Sequence, residues 1–389
     1  MPLDSAQLST YAIASASALA GGLIGTLFIR TLALKLNIVN KPNPLIPQHT
    51  RPIAYLGGLG VALGLTSGLI ALYLMDVALP GLAILLPASL FLIVGIADDL
   101  LAFKPLPKFA LQAIVAAVAV ALGTKATITG LAALDAALSW FWITTLVNAF
   151  NFTDVCDGLL GSISAVSFIA LALLDPPSAP LALTASAACL GFLFFNRPPA
   201  TIFLGDAGSH LLGFLAAAIT LAFVARGGSS SGGVAASAAT SPLLLIASAI
   251  LVVAVPLFEL SFLTIVRMKK GLPWWKGSPD HFSLRLQAAG FTRTQTDLLA
   301  ATFAAAWAAA GLALVNASPI IITLVALATL TSIALASTYL LRHEVKPRLS
   351  PPSRSGGGGE SSKPEGVPPN SPLHASHPSL SPLGASATP

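Results

Sequence analysis

Charged residues are scarce in this sequence: Asp, Glu, Lys and Arg together make up 9% of its 389 residues, against roughly 25% in an ordinary soluble domain. Apolar residues make up 55%. So little charge cannot cover the surface of a soluble globule, and the apolar residues suffice for about eleven segments of the ~20 residues that cross a bilayer. We therefore exclude a soluble globular protein and predict an all-α, polytopic bundle of transmembrane helices.

Cysteine is nearly absent as well. The chain has only Cys156 and Cys189, and their positions in or near apolar stretches give neither a disulfide framework nor the spacing of zinc ligands. The net charge is +5 and the pI about 9.4, but in a membrane protein the placement of basic residues matters more than their sum. We expect no nucleic-acid partner.

Eleven apolar segments are candidate spans. They cover residues 11–34, 53–75, 79–97, 109–122, 131–147, 163–174, 181–195, 209–225, 242–266, 297–315 and 320–341. Two of them, starting at Phe109 and Ile163, are short for a bilayer, so we expect ten or eleven spans. The first segment lacks a basic n-region and a small-residue cleavage site, which favours a retained span over a removed signal.

The basic residues predict the orientation. When the predicted loops are assigned alternately to the two faces, Lys125 and Arg226 are the only two of the 20 Lys and Arg residues on one face. Because Lys and Arg accumulate in cytoplasmic loops, the N-terminus should lie outside and the C-terminus in the cytoplasm. We predict a membrane catalytic domain over residues 1–345 and, since residues 346–389 are rich in Pro, Ser and Gly, a disordered cytoplasmic tail.

Carboxylates cluster in the predicted cytoplasmic segments. Asp98 and Asp99 end the third span, Asp154 and Asp157 end the fifth, and Asp206 follows the seventh. Ionised groups are costly near a bilayer and are found mainly where they are paired or functional. Clustered carboxylates repel one another unless a cation is present, and oxygen ligands suit Mg²⁺ or Mn²⁺ better than zinc. We expect a site for Mg²⁺, with Mn²⁺ as the alternative.

Four polar residues recur every three positions: Asn148, Asn151, Asp154 and Asp157. Each step turns ~300° around an α-helix, so neighbours lie side by side while the whole set fans through half a turn. Convergence of all four on one ligand requires the helix to tighten or end near Gly158.

Glycine pairs offer two places where backbone can approach a ligand closely. Gly205 and Gly208 flank Asp206 and would let backbone N–H groups reach a phosphate, and Gly57 and Gly58 form a second such turn.

Each of these features also has a structural interpretation. The paired aspartates could be solvated loop charges, the asparagines could be interhelical hydrogen-bond partners, Lys108 could be a membrane-surface anchor, and His281 could be a surface histidine. The placement of the acids on one predicted face favours a common site.

In these residues the sequence resembles the polyprenyl-phosphate N-acetylhexosamine-1-phosphate transferases, over about residues 10 to 341. The matching motifs are, in chain order, the Gly57-Gly58 pair; Asp98-Asp99 followed by Lys108; Asn148, Asn151, Asp154, Asp157 and Gly158; and Asn196, Pro199, Ala200, Gly205, Asp206, Gly208 and Ser209. One motif departs from the family: where many relatives have His-x-His-His-Arg, this chain keeps His281 and Arg285 but has Ser283 and Leu284 between them.

The resemblance implies transfer of a sugar 1-phosphate from a UDP-sugar, GlcNAc in our interpretation, to undecaprenyl phosphate, in a bacterial cytoplasmic membrane with the site facing the cytoplasm. It implies catalytic roles for Asp98, Asp99, Lys108 and His281, and a metal held by Asp206 and Asp99. The substrate-binding residues that it implies are Asn148, Asn151, Asp154, Asp157, Asn196, Arg197, Arg285, Gly57 and Gly58. The expected partners are the UDP-sugar, the polyprenyl phosphate and the membrane, with a homodimer as one possible assembly.

Three alternatives stay open at this point. A phospho-MurNAc-pentapeptide translocase is the nearest within the family, although the shortened histidine motif disfavours it. A cation-coupled transporter would place carboxylates near the middle of spans rather than at their ends. A catalytically inactive scaffold would not need every acid of the motifs.

Overall fold

Helices make up most of the computed structural model, which describes residues 5–42, 49, 51–227 and 241–345. The helices are α1 (Ser5–Lys35), α2 (Gly57–Leu74), α3 (Leu82–Leu101), α4 (Pro105–Ala121), α5 (Ala132–Thr153), α6 (Leu159–Leu174), α7 (Ala179–Asn196), α8 (Gly205–Ala225), α9 (Pro242–Val252), α10 (Ala254–Lys269), α11 (Phe282–Ala288), α12 (Arg293–Leu314) and α13 (Pro319–Leu341). Two short strands, β1 (Val39–Asn40) and β2 (Ile53–Ala54), pair antiparallel between α1 and α2. The predicted all-α membrane fold is confirmed.

Within the described part, eight helices are long and apolar enough to cross a membrane, and nine segments are if α9 and α10 together form one broken span. Helices α4 and α6 are apolar but shorter. The expected ten or eleven spans would require these two to cross as well, so the number of spans stays a prediction, as does the orientation. The predicted tail at 346–389 lies outside the described residues.

The segment predicted as one membrane helix over residues 242–266 is not continuous. The chain forms two helices there, α9 and α10, whose axes differ by 81°. Pro256 gives the physical reason, because it lacks the N–H that would bond the carbonyl of Val252 and its ring crowds that carbonyl. The break falls at Val253, between the two helices.

Several helices extend further than the apolar pattern predicts. Helix α5 continues through Thr153 rather than ending at Val147, and α8 begins at Gly205 rather than Ser209. The polar motifs that follow apolar segments in the sequence are therefore carried on the end turns of helices, which are more rigid than loops.

The core of the bundle is α8. In its most apolar window 94% of the residues are buried inside the protein, whereas none are in the corresponding window of α13. Helices α2, α3 and α5 pack around α8. The side chains at the start of α8 are therefore surrounded by other helices.

The side chain of Thr124, which follows α4, compensates for a gap in the backbone hydrogen bonding of α3. Pro87 lies inside α3 and cannot bond the carbonyl of Ala83. The hydroxyl of Thr124 donates to that carbonyl instead, at 2.5 Å. An unpaired carbonyl in an apolar surrounding is costly, so this bond allows the proline in the helix.

The first turns of α2 and α8 are joined through backbone. The N–H groups of Gly57 and Gly58 donate to the carbonyls of Phe203 and Leu204 at 2.8 and 2.7 Å. A Cβ added at Gly58 would lie 2.1 Å from the backbone nitrogen of Gly208. Gly57 and Gly58, predicted to approach a substrate, are both buried and instead allow the close approach of two helices.

We expect Gly58→Ala to destabilise the protein by about 1–3 kcal/mol or more, because the added methyl group meets backbone that can only move with α8. Thermal unfolding in detergent, followed by tryptophan fluorescence, measures the effect.

Gly81→Ala is the matched control, because nothing lies within 4 Å of a Cβ at Gly81 and its φ of −69° suits alanine. Equal melting temperatures of the two variants would contradict the close helix contact at Gly58.

Candidate active site

Polar groups from four helices meet at one end of the bundle. They come from the last turn of α3, the first turn of α4, the last turn of α5 and the first turn of α8. Because consecutive helices run in opposite directions, residues at the end of one and the start of the next lie on the same side. This arrangement brings together the acids that the sequence predicts to share a face.

Lys108 is at the centre of the site. Its Nζ lies 2.8 Å from Oδ2 of Asp98 and 2.5 Å from Oδ2 of Asp206. The side chains of Lys108 and Asp206 are 18% and 21% exposed, so the pair is largely enclosed yet open on one side. Asp98 is more deeply buried and also accepts the backbone N–H of Phe103 at 2.8 Å.

Asn151 completes a triangle with these charges. Its Nδ2 donates to Oδ1 of Asp206 at 2.5 Å, and its Oδ1 accepts from Lys108 at 3.2 Å. Nδ2 also lies 3.0 Å from the hydroxyl of Ser209. Helices α4, α5 and α8 are thus joined at one carboxylate.

Asp99 caps the start of α8. Its two carboxylate oxygens accept the backbone N–H groups of Asp206 and Ala207 at 2.7 and 3.1 Å. The positive end of the helix dipole stabilises an anion at this position. Gly205 has a φ of +76°, and a Cβ there would lie 2.6 Å from Asp99. Glycine is required at Gly205 on both counts.

Asp154 follows α5 and lies beside the same acids. Burial, and then the charge of Asp206, raise the pKa of Asp154 to about 8. The helix ends at Thr153, one residue earlier, but only Asn151 and Asp154 of the four regularly spaced polar residues lie beside Asp206.

Tyr55 is a site residue that the sequence motifs did not indicate. Its hydroxyl lies within hydrogen-bonding reach of Asp99, and burial, followed by the charges of Asp99, Asp206 and Asp154, raises its pKa well above the usual value. The tyrosine follows β2, which is held against the segment before α8. Only the pairing of distant segments could have revealed this contact.

Two residues predicted to bind substrate, Asp157 and Asn196, hold the framework of the site. Asp157 accepts the N–H of Ala200 at 3.1 Å and pairs with Arg293 at 2.7 Å. Asn196 accepts the N–H of Gly158 at 3.0 Å. These contacts fix the segment that leads into α8.

Asn148 points away from this framework, since its Nδ2 donates to Gln112 at 3.0 Å. Arg197 is exposed and lies over the ring of Phe194.

A second polar group surrounds His281. Its Nδ1 lies 2.7 Å from Oε1 of Glu259, a fully buried carboxylate whose other oxygen accepts the N–H of Phe282 at 3.2 Å. The carboxylate fixes the orientation of the imidazole ring and favours the tautomer that keeps its proton on Nδ1. Glu259 was also not anticipated, because it lies 22 residues before its partner.

Arg285 is 1% exposed and paired with Asp280 at 2.5 Å, and it also donates to the carbonyl of Leu340. These contacts place it in the structural core of the segment rather than at an open surface. Burial alone would raise the pKa of Asp280, but the hydrogen bonds and charges of Lys270 and Arg285 outweigh it and lower that pKa.

Ser283 and Leu284, which replace two histidines of the related motif, are buried in α11. Ser283 accepts a hydrogen bond from the thiol of Cys156 at 3.2 Å, and Gln287 donates to the same sulfur at 3.3 Å. Burial raises the pKa of Cys156 to about 12, so the thiol is a packing group. The departure from the motif therefore joins α11 to the turn before α6.

The carboxylates are the type of ligand that a hard divalent cation prefers. All are oxygen donors, and each Asp99 oxygen that accepts an N–H retains a further lone pair. Among the residues that the structure describes, no three His, Cys, Asp or Glu side chains are grouped closely enough to form a metal site. In the arrangement seen, Lys108 pairs with Asp206, one of the two candidate ligands, and with Asp98.

Comparison with known proteins agrees with these motifs. The family model described as glycosyl transferase family 4 matches residues 81–224, the stretch that contains Asp98 through Asp206. A probable undecaprenyl-phosphate N-acetylglucosaminyl 1-phosphate transferase of Bacillus subtilis is 26% identical, over 71% of this chain and 77% of the relative.

Two further relatives carry similar names. The decaprenyl-phosphate N-acetylglucosaminephosphotransferase of Mycobacterium tuberculosis (strain ATCC 25618 / H37Rv) is 27% identical, over 70% of this chain and 74% of the relative. The undecaprenyl-phosphate alpha-N-acetylglucosaminyl 1-phosphate transferase of Salmonella typhimurium is 29% identical, over 74% and 80%. With its four motifs in the expected order, this multi-pass membrane protein is similar to glycosyl transferase family 4 over residues 81–224.

Proposed function

We propose that the protein transfers GlcNAc 1-phosphate from UDP-GlcNAc to a polyprenyl phosphate, giving a polyprenyl-diphospho-GlcNAc and UMP. The observation that carries the proposal is the group formed by Lys108, Asp98, Asp99 and Asp206 at one end of an apolar bundle. The names of the relatives support the polyprenyl phosphate as acceptor and GlcNAc 1-phosphate as the transferred group. A lipid acceptor needs its phosphate beside polar groups and its chain in the bilayer, and such a site provides both.

In the proposed reaction an oxygen of the polyprenyl phosphate attacks the phosphorus that carries the sugar. The new P–O bond forms as the bond from that phosphorus to the bridging oxygen breaks, and UMP leaves with the electron pair. A phosphate monoester is mostly dianionic at pH 7, since its second pKa is about 6, so the attack needs little help from a base.

Lys108 supplies the positive charge that the chain itself brings to the reacting phosphates. Asp98 orients this ammonium group, because one of its oxygens pairs with Lys108 and the other accepts Phe103 N–H. With both oxygens engaged, Asp98 is a poor nucleophile. We therefore infer direct transfer without an aspartyl intermediate.

We propose Asp206 and Asp99 as ligands of Mg²⁺, with Mn²⁺ as a substitute. The metal would neutralise the diphosphate as a Lewis acid. Asn151 would hold Asp206 in place, and Tyr55 would orient Asp99.

His281, oriented by Glu259, is proposed to bind the donor. Many relatives carry histidines at the positions of Ser283 and Leu284. Both residues are buried here, so neither can take over donor contacts that those histidines make. A donor with a small sugar therefore fits better than UDP-MurNAc-pentapeptide.

We place the site on the cytoplasmic side of a bacterial inner membrane. The end of the bundle that carries it also carries Lys35, Lys104, Arg267 and Arg342, while Lys125 and Arg226 lie at the other end. This distribution follows the preference of basic residues for cytoplasmic loops. Nucleoside diphosphate sugars are cytosolic, which agrees with the proposed donor.

Purified protein should release UMP from UDP-GlcNAc only when undecaprenyl phosphate and Mg²⁺ are present, and more slowly from UDP-MurNAc-pentapeptide. Without lipid, labelled UMP should not exchange into UDP-GlcNAc, because direct transfer leaves no covalent intermediate. Exchange without lipid would contradict direct transfer, and no UMP release with any donor, together with cation flux in liposomes, would favour a transporter.

We expect Asp206→Asn to lower kcat roughly 10²- to 10³-fold and to raise the Mg²⁺ concentration needed for half-maximal rate, since a charged ligand is lost. Initial rates across a Mg²⁺ titration measure both effects. Asp76→Asn is the control, because Asp76 is an exposed acid at the other end of the bundle. An unchanged Mg²⁺ requirement in Asp206→Asn would rule out Asp206 as a metal ligand.

The orientation can be tested by labelling with a membrane-impermeant maleimide. Lys125→Cys should react in intact cells, whereas Lys104→Cys should react only after permeabilisation. Both lysines are exposed, and the native Cys156 and Cys189 are buried and should contribute little background. The reverse pattern would place the site outside.

A further inference from the structure

Three helices each present two polar side chains about one turn apart, so the site has two layers. Lys108 and Gln112 lie four residues apart on α4, and Asp206 and His210 lie four apart on α8. On α5 the pair is Asn151 and Asn148, three residues apart. Residues at these spacings lie on the same face of a helix.

The upper layer is the site already described, formed by Lys108, Asn151 and Asp206. The lower layer connects the same three helices in a second way. Asn148 donates to Oε1 of Gln112 at 3.0 Å, and Nε2 of Gln112 lies 2.9 Å from Nε2 of His210. Gln112 and His210 are 0% exposed.

In the lower layer each hydrogen bond has a defined donor and acceptor. Because Oε1 of Gln112 accepts from Asn148, its amide nitrogen is the donor toward His210. The imidazole therefore accepts at Nε2, which places its proton on Nδ1. Each group in this chain has a fixed role, so the three side chains have one mutual orientation.

Gln112 is important because α4 packs on α3 and α5 and reaches α8 mainly through side chains. A rotation of α4 by 20° would move a side-chain group on its surface by about 2 Å, given a helix radius of ~5–6 Å. Such a movement would take Lys108 out of contact with Asp206. A misplacement of about 1 Å in an active site can cost roughly 100-fold in rate.

We propose that Gln112 is a positioning residue, which by joining Asn148 to His210 fixes the rotation of α4 against α5 and α8 and so holds Lys108 on Asp206. The role in catalysis rests on the proposed function, whereas the role in placing Lys108 does not. Asn148 then belongs to this supporting layer rather than to the nucleotide pocket. None of the three lower-layer residues contacts substrate.

The test compares Gln112→Met, which keeps the length of the side chain and removes both hydrogen bonds, with Thr220→Val. Thr220 on α8 is equally buried and accepts a hydrogen bond from Trp142 on α5 at 2.8 Å, several turns from the site. Loss of the Thr220 hydroxyl removes a hydrogen bond between α5 and α8 and leaves both layers of the site intact. Melting temperatures of both variants show that they are folded.

Gln112→Met should lower kcat about 10- to 100-fold while KM for UDP-GlcNAc changes less than about threefold, because orientation rather than binding is lost. Thr220→Val should keep the kcat of the wild type. The double exchange Gln112→His with His210→Gln restores a donor and an acceptor between the helices, and it should regain most of the activity that Gln112→His alone loses.

A second readout does not depend on activity. Lys108 is 18% exposed and paired in the wild type, so an amine-reactive ester should label it slowly, as quantified by mass spectrometry. Labelling should increase in Gln112→Met and stay unchanged in Thr220→Val. Unchanged labelling and kcat in Gln112→Met, or equal losses in Thr220→Val, would overturn the proposal. A wild type without UMP release would overturn the proposed function, while the labelling would still decide the placement of Lys108.

Discussion

One ammonium group shared between two carboxylates organises this end of the protein. Lys108 reaches Asp98 on α3 and Asp206 on α8, and without it both acids would be left close together in a largely enclosed place. An unpaired charge in such surroundings would become protonated or would force the helices apart. The ion pairs therefore decide which helix ends meet, and the remaining contacts refine an arrangement that charge has already restricted.

Backbone supplies the next level of order. Asp99 accepts two N–H groups at the start of α8, and the segment after β2 is bonded to the residues just before that helix. The first set joins a short Asp side chain to backbone, and the second joins backbone to backbone. Because no long, flexible side chain takes part, the geometry of these bonds is well defined. These backbone bonds hold the first turn of α8, and with it Asp206, in the place where Lys108 and Asn151 contact its carboxylate.

The sequence was sufficient to group Asp98, Lys108, Asn151 and Asp206, because motif spacing and the alternation of helices place them at one end of the bundle. It was not sufficient for Tyr55, Glu259 or Gln112, whose contacts depend on how each helix is rotated and which helices are neighbours. A membrane helix is apolar both where it faces lipid and where it faces protein. The hydrophobic pattern of its sequence therefore says little about how the helix is rotated about its axis. The break at Val253 was present in the sequence as Pro256, but hydropathy alone treats the whole segment as continuous.

The contrast between α8 and α13 has an evolutionary consequence. Helix α13 is so little covered by the rest of the chain that its leucines and isoleucines, such as Leu327 and Leu335, face outward. Adaptation to a thicker or thinner bilayer can therefore proceed by lengthening or shortening such peripheral helices, at a cost of fractions of a kcal/mol per Å of mismatch. The active-site residues lie around α8, whereas the residues that face the lipid lie on peripheral helices such as α13. The two sets can therefore change independently in evolution.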